Sequence, residues 1–131
     1  MRKLNLKKGD IVILAIEEYS NLSRGMDLSL DNIDNWTFKA EVISAGRKYV
    51  TVKPDNFLKE MKFEVENDYR EKYTYGTANY KLYRTMEEVI EERKQKKLFL
   101  DICNIFTYGN SKNISLKTLE KIKEMIESDR S

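Results

Sequence analysis

Residues 36–53 read WTFKAEVISAGRKYVTVK, and the alternation in this stretch decides the fold class. Apolar side chains at every second position indicate a strand with one face inward and the other in water. The inward positions are Trp36, Phe38, Ala40, Val42, Val50 and Val52. Gly46 stands between the two runs and predicts a tight turn with a positive backbone dihedral angle. The stretch therefore predicts two antiparallel strands joined as a hairpin.

Three more short strands are expected around this hairpin. They are predicted at Ile11–Ile16, around Phe63 and Val65, and over Tyr80, Leu82 and Tyr83. The first follows a turn signal at Gly9-Asp10 and is too short for a typical helix. A sheet of about five short antiparallel strands must close or be covered to protect its edges, so a small barrel is predicted. Residues 19–35 are predicted to form a long polar loop pinned by a few apolar side chains.

The pattern changes to a helical period near residue 85. Thr85 and Glu88 have the spacing of a capping box, which predicts a helix from Met86 to about Phe106. Apolar residues crowd its second half, so that half is predicted to be the buried one. Ser115 is a good N-cap for a second helix over 116–127, predicted to pack back on the first. The fold class is thus α+β, one domain over 1–131: a barrel over 1–84 and a two-helix extension over 85–131 packed on it.

Composition excludes several functional classes. The 24 basic and 22 acidic residues leave a net charge of +2, so any binding to nucleic acid must come from a local patch. There is no histidine, which removes His-based triads and the side chain best suited to acid–base chemistry near neutrality. With one cysteine, Cys103, no signal peptide and no long apolar run, a cytoplasmic protein without a membrane association is expected. We expect no enzyme activity, no cofactor and no metal site.

Several segments carry a resemblance to known proteins. Lys7-Lys8-Gly9-Asp10 leading into the first strand, together with residues 40–52, resembles the opening of a Src-homology-3-like barrel. With Asn79–Tyr83 and Ile114–Ile122, the chain is similar to small β-barrel domain proteins of phages and mobile elements of AT-rich Gram-positive bacteria. The resemblance implies the barrel fold and a phage origin, and it transfers no activity.

The segment from Tyr69 to Arg84 is the strongest candidate for a binding surface. Its tyrosines interleave with basic residues, a composition that suits base stacking, phosphate contacts and protein hot spots. The candidate residues are Tyr69, Arg70, Lys72, Tyr73, Tyr75, Tyr80, Lys81, Tyr83 and Arg84. The alternative is that these tyrosines line barrel strands, with their rings packed and their hydroxyls in water.

Three functions follow from these observations. The leading prediction is a non-enzymatic, phage-encoded protein that engages a host macromolecule, most readily a host protein, as an anti-defence inhibitor. The second is an accessory module that binds nucleic acid through Arg70, Lys72, Lys81 and Arg84. The third is sequestration of a small nucleotide signal by the same tyrosines. An apolar helical hairpin is also compatible with a homodimer.

Overall fold

A computed structural model describes residues 3–18, 20–55, 59–72, 78–108 and 114–130, with only the backbone of Tyr108. Within these ranges, six strands form a closed antiparallel barrel in chain order, and the last strand pairs with the first. The strands are β1 (Ile11–Ile16), β2 (Thr37–Ala45), β3 (Tyr49–Pro54), β4 (Met61–Glu64), β5 (Arg70–Glu71) and β6 (Tyr80–Tyr83). The helices are α1 (Ile33–Trp36), α2 (Met86–Tyr108) and α3 (Leu116–Arg130), with short 3-10 helices at Leu30–Asn32 and Val65–Asn67.

The predicted fold class is confirmed: the protein is α+β, an antiparallel barrel followed by two C-terminal helices. Three local predictions are wrong. Trp36 ends α1 and does not begin β2, and Val65 begins a 3-10 helix and does not lie in β4. Gly46 does not adopt a positive φ, and the β2–β3 turn closes with its amide donating to the Tyr49 carbonyl at 2.9 Å.

The helix termini follow the predicted caps. The Thr85 hydroxyl accepts a hydrogen bond from the Glu88 amide at 3.3 Å, and the Glu88 carboxylate accepts one from the Arg84 amide at 3.0 Å. At the start of α3, the Ser115 hydroxyl accepts from the Thr118 amide at 3.1 Å. Each cap satisfies an amide that has no partner inside its helix, and this fixes where α2 and α3 begin.

Strand β1 is buried on both faces from Val12 onward. Val12 and Leu14 point into the barrel core, whereas Ile13 and Ala15 pack outside it. This explains why the strand is a continuous apolar run and does not alternate. At its start, the Gly9 amide donates to the Val42 carbonyl and the Val42 amide to the Asp10 carbonyl, both at 2.8 Å, and the Lys7 amide donates to the Asp10 carboxylate at 2.8 Å.

Among the described residues, the buried side chains form two clusters. The inner core fills the barrel and consists of Leu4, Val12, Leu14, Ala40, Val42, Val50, Val52, Phe63, Tyr69 and Leu82. The outer core lies against the outside of β1 and consists of Ile13, Ala15, Ile16, Trp36, Tyr83 and Val89. Leu28, Leu30 and Ile33 pack on the outer core, so the predicted pinning of the 19–35 segment is observed for its described residues.

The chain divides into two compact units, residues 1–93 and 94–131. The prediction that the second half of α2 is buried is wrong, since its large apolar side chains are 45–66% exposed. The first turns of α2 pack on the outside of the barrel through Val89, whereas packing of the rest of the two helices on it and the single-domain organisation stay predictions. None of the described helices is long and apolar enough to cross a membrane.

Candidate functional site

The predicted binding segment contributes two of its tyrosines to the cores. Tyr69 is 5% exposed in the inner core, and its hydroxyl accepts a hydrogen bond from the Leu4 amide at 3.2 Å. Tyr83 is 1% exposed in the outer core, and its hydroxyl donates to Glu92 at 2.9 Å. Burial, with the Glu92 carboxylate beside it, raises the pKa of the Tyr83 hydroxyl. Both rings are therefore engaged within the protein.

Lys81 is a buried cation at the centre of an ion network. It is 3% exposed, and its Nζ lies 2.9 Å from an Asp68 carboxylate oxygen and 3.1 Å from Glu92 Oε2. Since Tyr83 donates to the same Glu92 carboxylate, the network joins β6 to the first turns of α2. A lysine held between two carboxylates is not a free phosphate ligand, so Lys81 serves the fold.

Three further candidates also have partners within the protein. Arg70 pairs with Glu17 at 3.5 Å, and the Arg84 guanidinium donates to the Leu4 carbonyl at 2.7 Å. Tyr80 packs edge-on against Phe38 with ring centroids 6.1 Å apart. Tyr73 and Tyr75 lie outside the described residues. Among the seven described candidates, Lys72 is the one basic residue whose charged group has neither an ion pair nor a hydrogen bond within the protein.

Glu71 carries a pH dependence that can be tested. It is half-buried, and burial raises the pKa of its carboxyl although that carboxyl accepts a hydrogen bond from the Asn79 amide at 3.2 Å. The folded state thus binds this proton more tightly than the unfolded chain does, so this group adds stability at low pH and loses it as pH rises through its raised pKa.

We expect Glu71→Gln to be more stable than the wild type at pH 7, with the difference closing toward pH 4. The glutamine keeps an oxygen for the Asn79 amide and carries no charge to desolvate. Thermal unfolding at both pH values measures this, with exposed Glu60→Gln as the control that shows no such difference. A variant less stable than the wild type at pH 7 would contradict the argument.

A different group of exposed residues converges around Tyr49. The Nζ atoms of Lys62 and Lys72 lie 5.2 and 4.9 Å from the centroid of the Tyr49 ring, which is cation–π distance. Arg47 and Lys48, in the preceding turn, are exposed beside it. We name these five residues, Arg47, Lys48, Tyr49, Lys62 and Lys72, the Tyr49 cluster.

Strand register brings the cluster together. In β3 the residues 50, 52 and 54 point inward, which leaves Tyr49 and Thr51 on the outer face. Thr51 lies opposite Lys62 in β4, and the Lys72 amide donates to the Lys62 carbonyl at 2.8 Å. Strands β3 and β4 and the residue that follows β5 thus place one ring and two ammonium groups next to each other on the outside of the barrel.

The electrostatics of the cluster favour an anion. Within the described parts of the chain, neither the Lys62 nor the Lys72 ammonium group has a carboxylate at ion-pairing distance. Glu64, opposite Tyr49 in register, is the acidic neighbour on the same face. Two like charges held at one ring repel each other, and an anion bound between them relieves that repulsion.

Sequence reasoning did not find this cluster. Lys72 was among the predicted residues, but Tyr49 and Lys62 were not, because they are far apart in the chain. The available signal was the alternation of β3, which places Tyr49 outward. The register that brings Lys62 and Lys72 to it depends on strand pairing, and β5 is too short to be recognised from a pattern.

The described residues hold no group of acidic or cysteine side chains arranged for a metal ion. Asp27, one of three aspartates spaced along the 27–34 segment, braces its own loop. Its carboxylate accepts hydrogen bonds from the Ser29 amide at 3.0 Å and from Asn32 Nδ2 at 2.6 Å. The hydrogen bonds from Ser29 lower the pKa of the Asp27 carboxyl. This carboxylate is thus occupied by turn formation.

Comparison with known proteins places the chain in a family. The model of the Phage ProQ C-terminal-like domain matches residues 1–129. The chain belongs to this family. No curated protein and no solved structure matches it. The phage association implied by the resemblance is therefore confirmed at the level of the family, and the source in AT-rich Gram-positive bacteria stays a prediction.

Proposed function

We propose that the protein is a non-enzymatic RNA-binding module of the cytoplasm that contacts RNA through the Tyr49 cluster. The observation that carries the proposal is the pair of lysine ammonium groups within 5.2 Å of one exposed-face tyrosine ring. The family supports RNA as the ligand, because ProQ C-terminal domains are associated with RNA binding.

Each part of the cluster suits one part of a nucleic acid. The ammonium groups of Lys62 and Lys72 are strong donors for phosphate oxygens, and Arg47 and Lys48 extend the positive surface along the turn. The Tyr49 ring offers a flat surface on which an unpaired base stacks. This combination is typical of single-stranded binding, in which the backbone sets the affinity and stacking tolerates any base.

The proposal refines the second function predicted from sequence, nucleic-acid binding, and assigns it to a different set of residues. Lys81 and Arg84 have structural partners, so the basic contacts shift from the 69–84 segment to the face around Tyr49. A host protein as partner, an anti-defence role and nucleotide sequestration stay predictions, since no contact described above favours them.

We expect Lys62→Gln/Lys72→Gln to weaken binding of a single-stranded RNA and to flatten its salt dependence. The slope of log K against log salt should fall by about 1.4, since each phosphate contact to a single strand contributes about 0.7. Fluorescence anisotropy of a labelled, mixed-sequence RNA 12-mer across a salt series measures both effects.

A matched control is Lys39→Gln/Lys59→Gln, which makes the same charge change at exposed lysines. Lys39 lies near the far end of the β2–β3 ladder from Tyr49, where its carbonyl accepts from the Asp55 amide. Tyr49→Ala should weaken binding about tenfold and Tyr49→Phe much less, since stacking on one ring contributes about 1–3 kcal/mol. Equal slopes for the two lysine pairs, or binding of single nucleotides as tight as of the 12-mer, would refute the proposal.

A further inference from the structure

The unit over residues 94–131 leaves a large apolar surface in water. Nine large apolar side chains among its described residues are 45–72% exposed: Leu98, Phe99, Leu100, Ile102, Ile105, Phe106, Leu116, Met125 and Ile126. At roughly 100 Å² each, they expose on the order of 900 Å², whereas the largest patch on a typical monomer is about 300–600 Å². A surface of this size is expected to be covered in solution.

Helical spacing gathers most of these residues into stripes. In α2, Leu98, Ile102 and Ile105 follow one another at four and three residues and lie on one face, with Phe99 and Phe106 beside them. In α3, Leu119, Ile122 and Ile126 form the corresponding stripe. Within the single chain Leu119 and Ile122 are half-buried and no residue of Leu116–Arg130 is fully buried, so the chain covers this face only in part.

The two stripes are complementary when the helices run antiparallel. One register places Leu98 opposite Ile126, Ile102 opposite Ile122 and Ile105 opposite Leu119. The same register sets Lys96 and Lys97 of α2 beside Glu127 and Asp129 near the end of α3, where Arg130 is the basic residue of the last turn. Apolar and charged positions therefore agree on a single alignment.

We propose that a second copy of this chain covers the apolar surface, with α2 of one protomer packed antiparallel on α3 of its partner. Each protomer carries both the basic residues of α2 and the acidic residues of α3. A two-fold axis therefore forms the same α2–α3 contact twice, and the assembly closes as a dimer. The exposed apolar area also matches the roughly 800 Å² per partner of a standard interface. The result is a four-helix bundle of two chains.

Light scattering coupled to size exclusion tests the proposal on the full chain. The wild type is expected to run as a dimer at micromolar concentration, and Phe99→Glu/Phe106→Glu as a monomer. The control Asn104→Glu/Thr107→Glu adds the same charge to exposed positions off the stripe and should stay dimeric. All members of both cores lie at or before residue 89, so the near-ultraviolet signal of Trp36 reports that the barrel remains folded.

Charge reversal distinguishes pairing between copies from pairing within one chain. Lys96→Glu/Lys97→Glu and Glu127→Lys/Asp129→Lys should each be monomeric alone, and an equimolar mixture should form a heterodimer. The proposal would be overturned if the wild type were monomeric or if the Phe99→Glu/Phe106→Glu variant were dimeric. It would equally be overturned if either charge variant were dimeric alone or if their mixture stayed monomeric. RNA binding is measured separately, so failure here leaves the Tyr49 cluster standing.

Discussion

Replacing Lys81 by methionine is expected to lower the free energy of unfolding by about 3 kcal/mol at pH 7. The methionine fills a similar volume but leaves the carboxylates of Asp68 and Glu92 facing each other without the cation that lies 2.9 and 3.1 Å from them. Removal of the buried cation is costly because the Glu92 carboxylate, with a side chain only 19% exposed, stays largely desolvated and loses its partner, whereas Asp68 at 33% is better solvated. Urea unfolding followed by circular dichroism measures the loss.

The pH dependence of this variant separates charge from packing. Carboxyl groups in general become protonated toward low pH and then no longer need a cation beside them, so the deficit of Lys81→Met relative to the wild type should shrink as the pH is lowered. Lys39→Met, at an exposed position of β2, should stay within about 0.5 kcal/mol of the wild type at both pH values. A deficit that is the same at pH 7 and pH 3.5 would show that the network contributes through shape alone.

The second large effect is expected at Trp36. Trp36→Ala should cost about 3–5 kcal/mol, because the indole is fully buried at the centre of the outer core and its loss leaves a cavity. The indole Nε1 also donates to the Ser29 carbonyl at 2.9 Å, and the Arg93 guanidinium stacks 4.3 Å from the ring centroid. Thermal and urea unfolding by far-ultraviolet circular dichroism measure the change.

Trp36→Phe is the matched variant for this position. It keeps an aromatic ring against β1 and Arg93 but loses the hydrogen bond to Ser29, so it should cost clearly less than the alanine variant. Limited proteolysis should cut within residues 20–35 faster in Trp36→Ala, because Leu28 and Leu30 pack on the same core. A cost below about 1 kcal/mol for Trp36→Ala would mean that the outer core is not an independent source of stability.

The sequence was sufficient for the barrel because its signals are local. Alternation in β2 and β3, the turn before β1 and the caps of α2 and α3 each depend on residues within a few positions of one another. Strand β5 was missed because a strand of two residues is too short to show an alternation of apolar and polar side chains. Trp36 was misassigned because the alternation of β2 extends through the last residue of α1.

The candidate site could be predicted much less well. Composition along 69–84 identified a basic, tyrosine-rich segment, but composition does not tell which side of a strand a residue occupies. Lys81 is opposite Ala15 in the β6–β1 pairing and therefore faces the outer core, where Glu92 of α2 receives it. Tyr49 and Lys62 come together through register alone. Long-range pairing, which no local pattern encodes, thus decided which cations are buried and which are free.

The double burial of β1 has a consequence for how its alignment is specified. In a strand with one solvent-exposed face, a register shift of one residue moves apolar side chains into water and polar side chains into the core. The free-energy cost of that exchange fixes the register. Both faces of β1 are buried, so the burial of apolar side chains does not favour one register over the register shifted by one residue. We infer that the register of β1 is fixed by the two backbone hydrogen bonds that Val42 makes with Gly9 and Asp10, just before the strand begins.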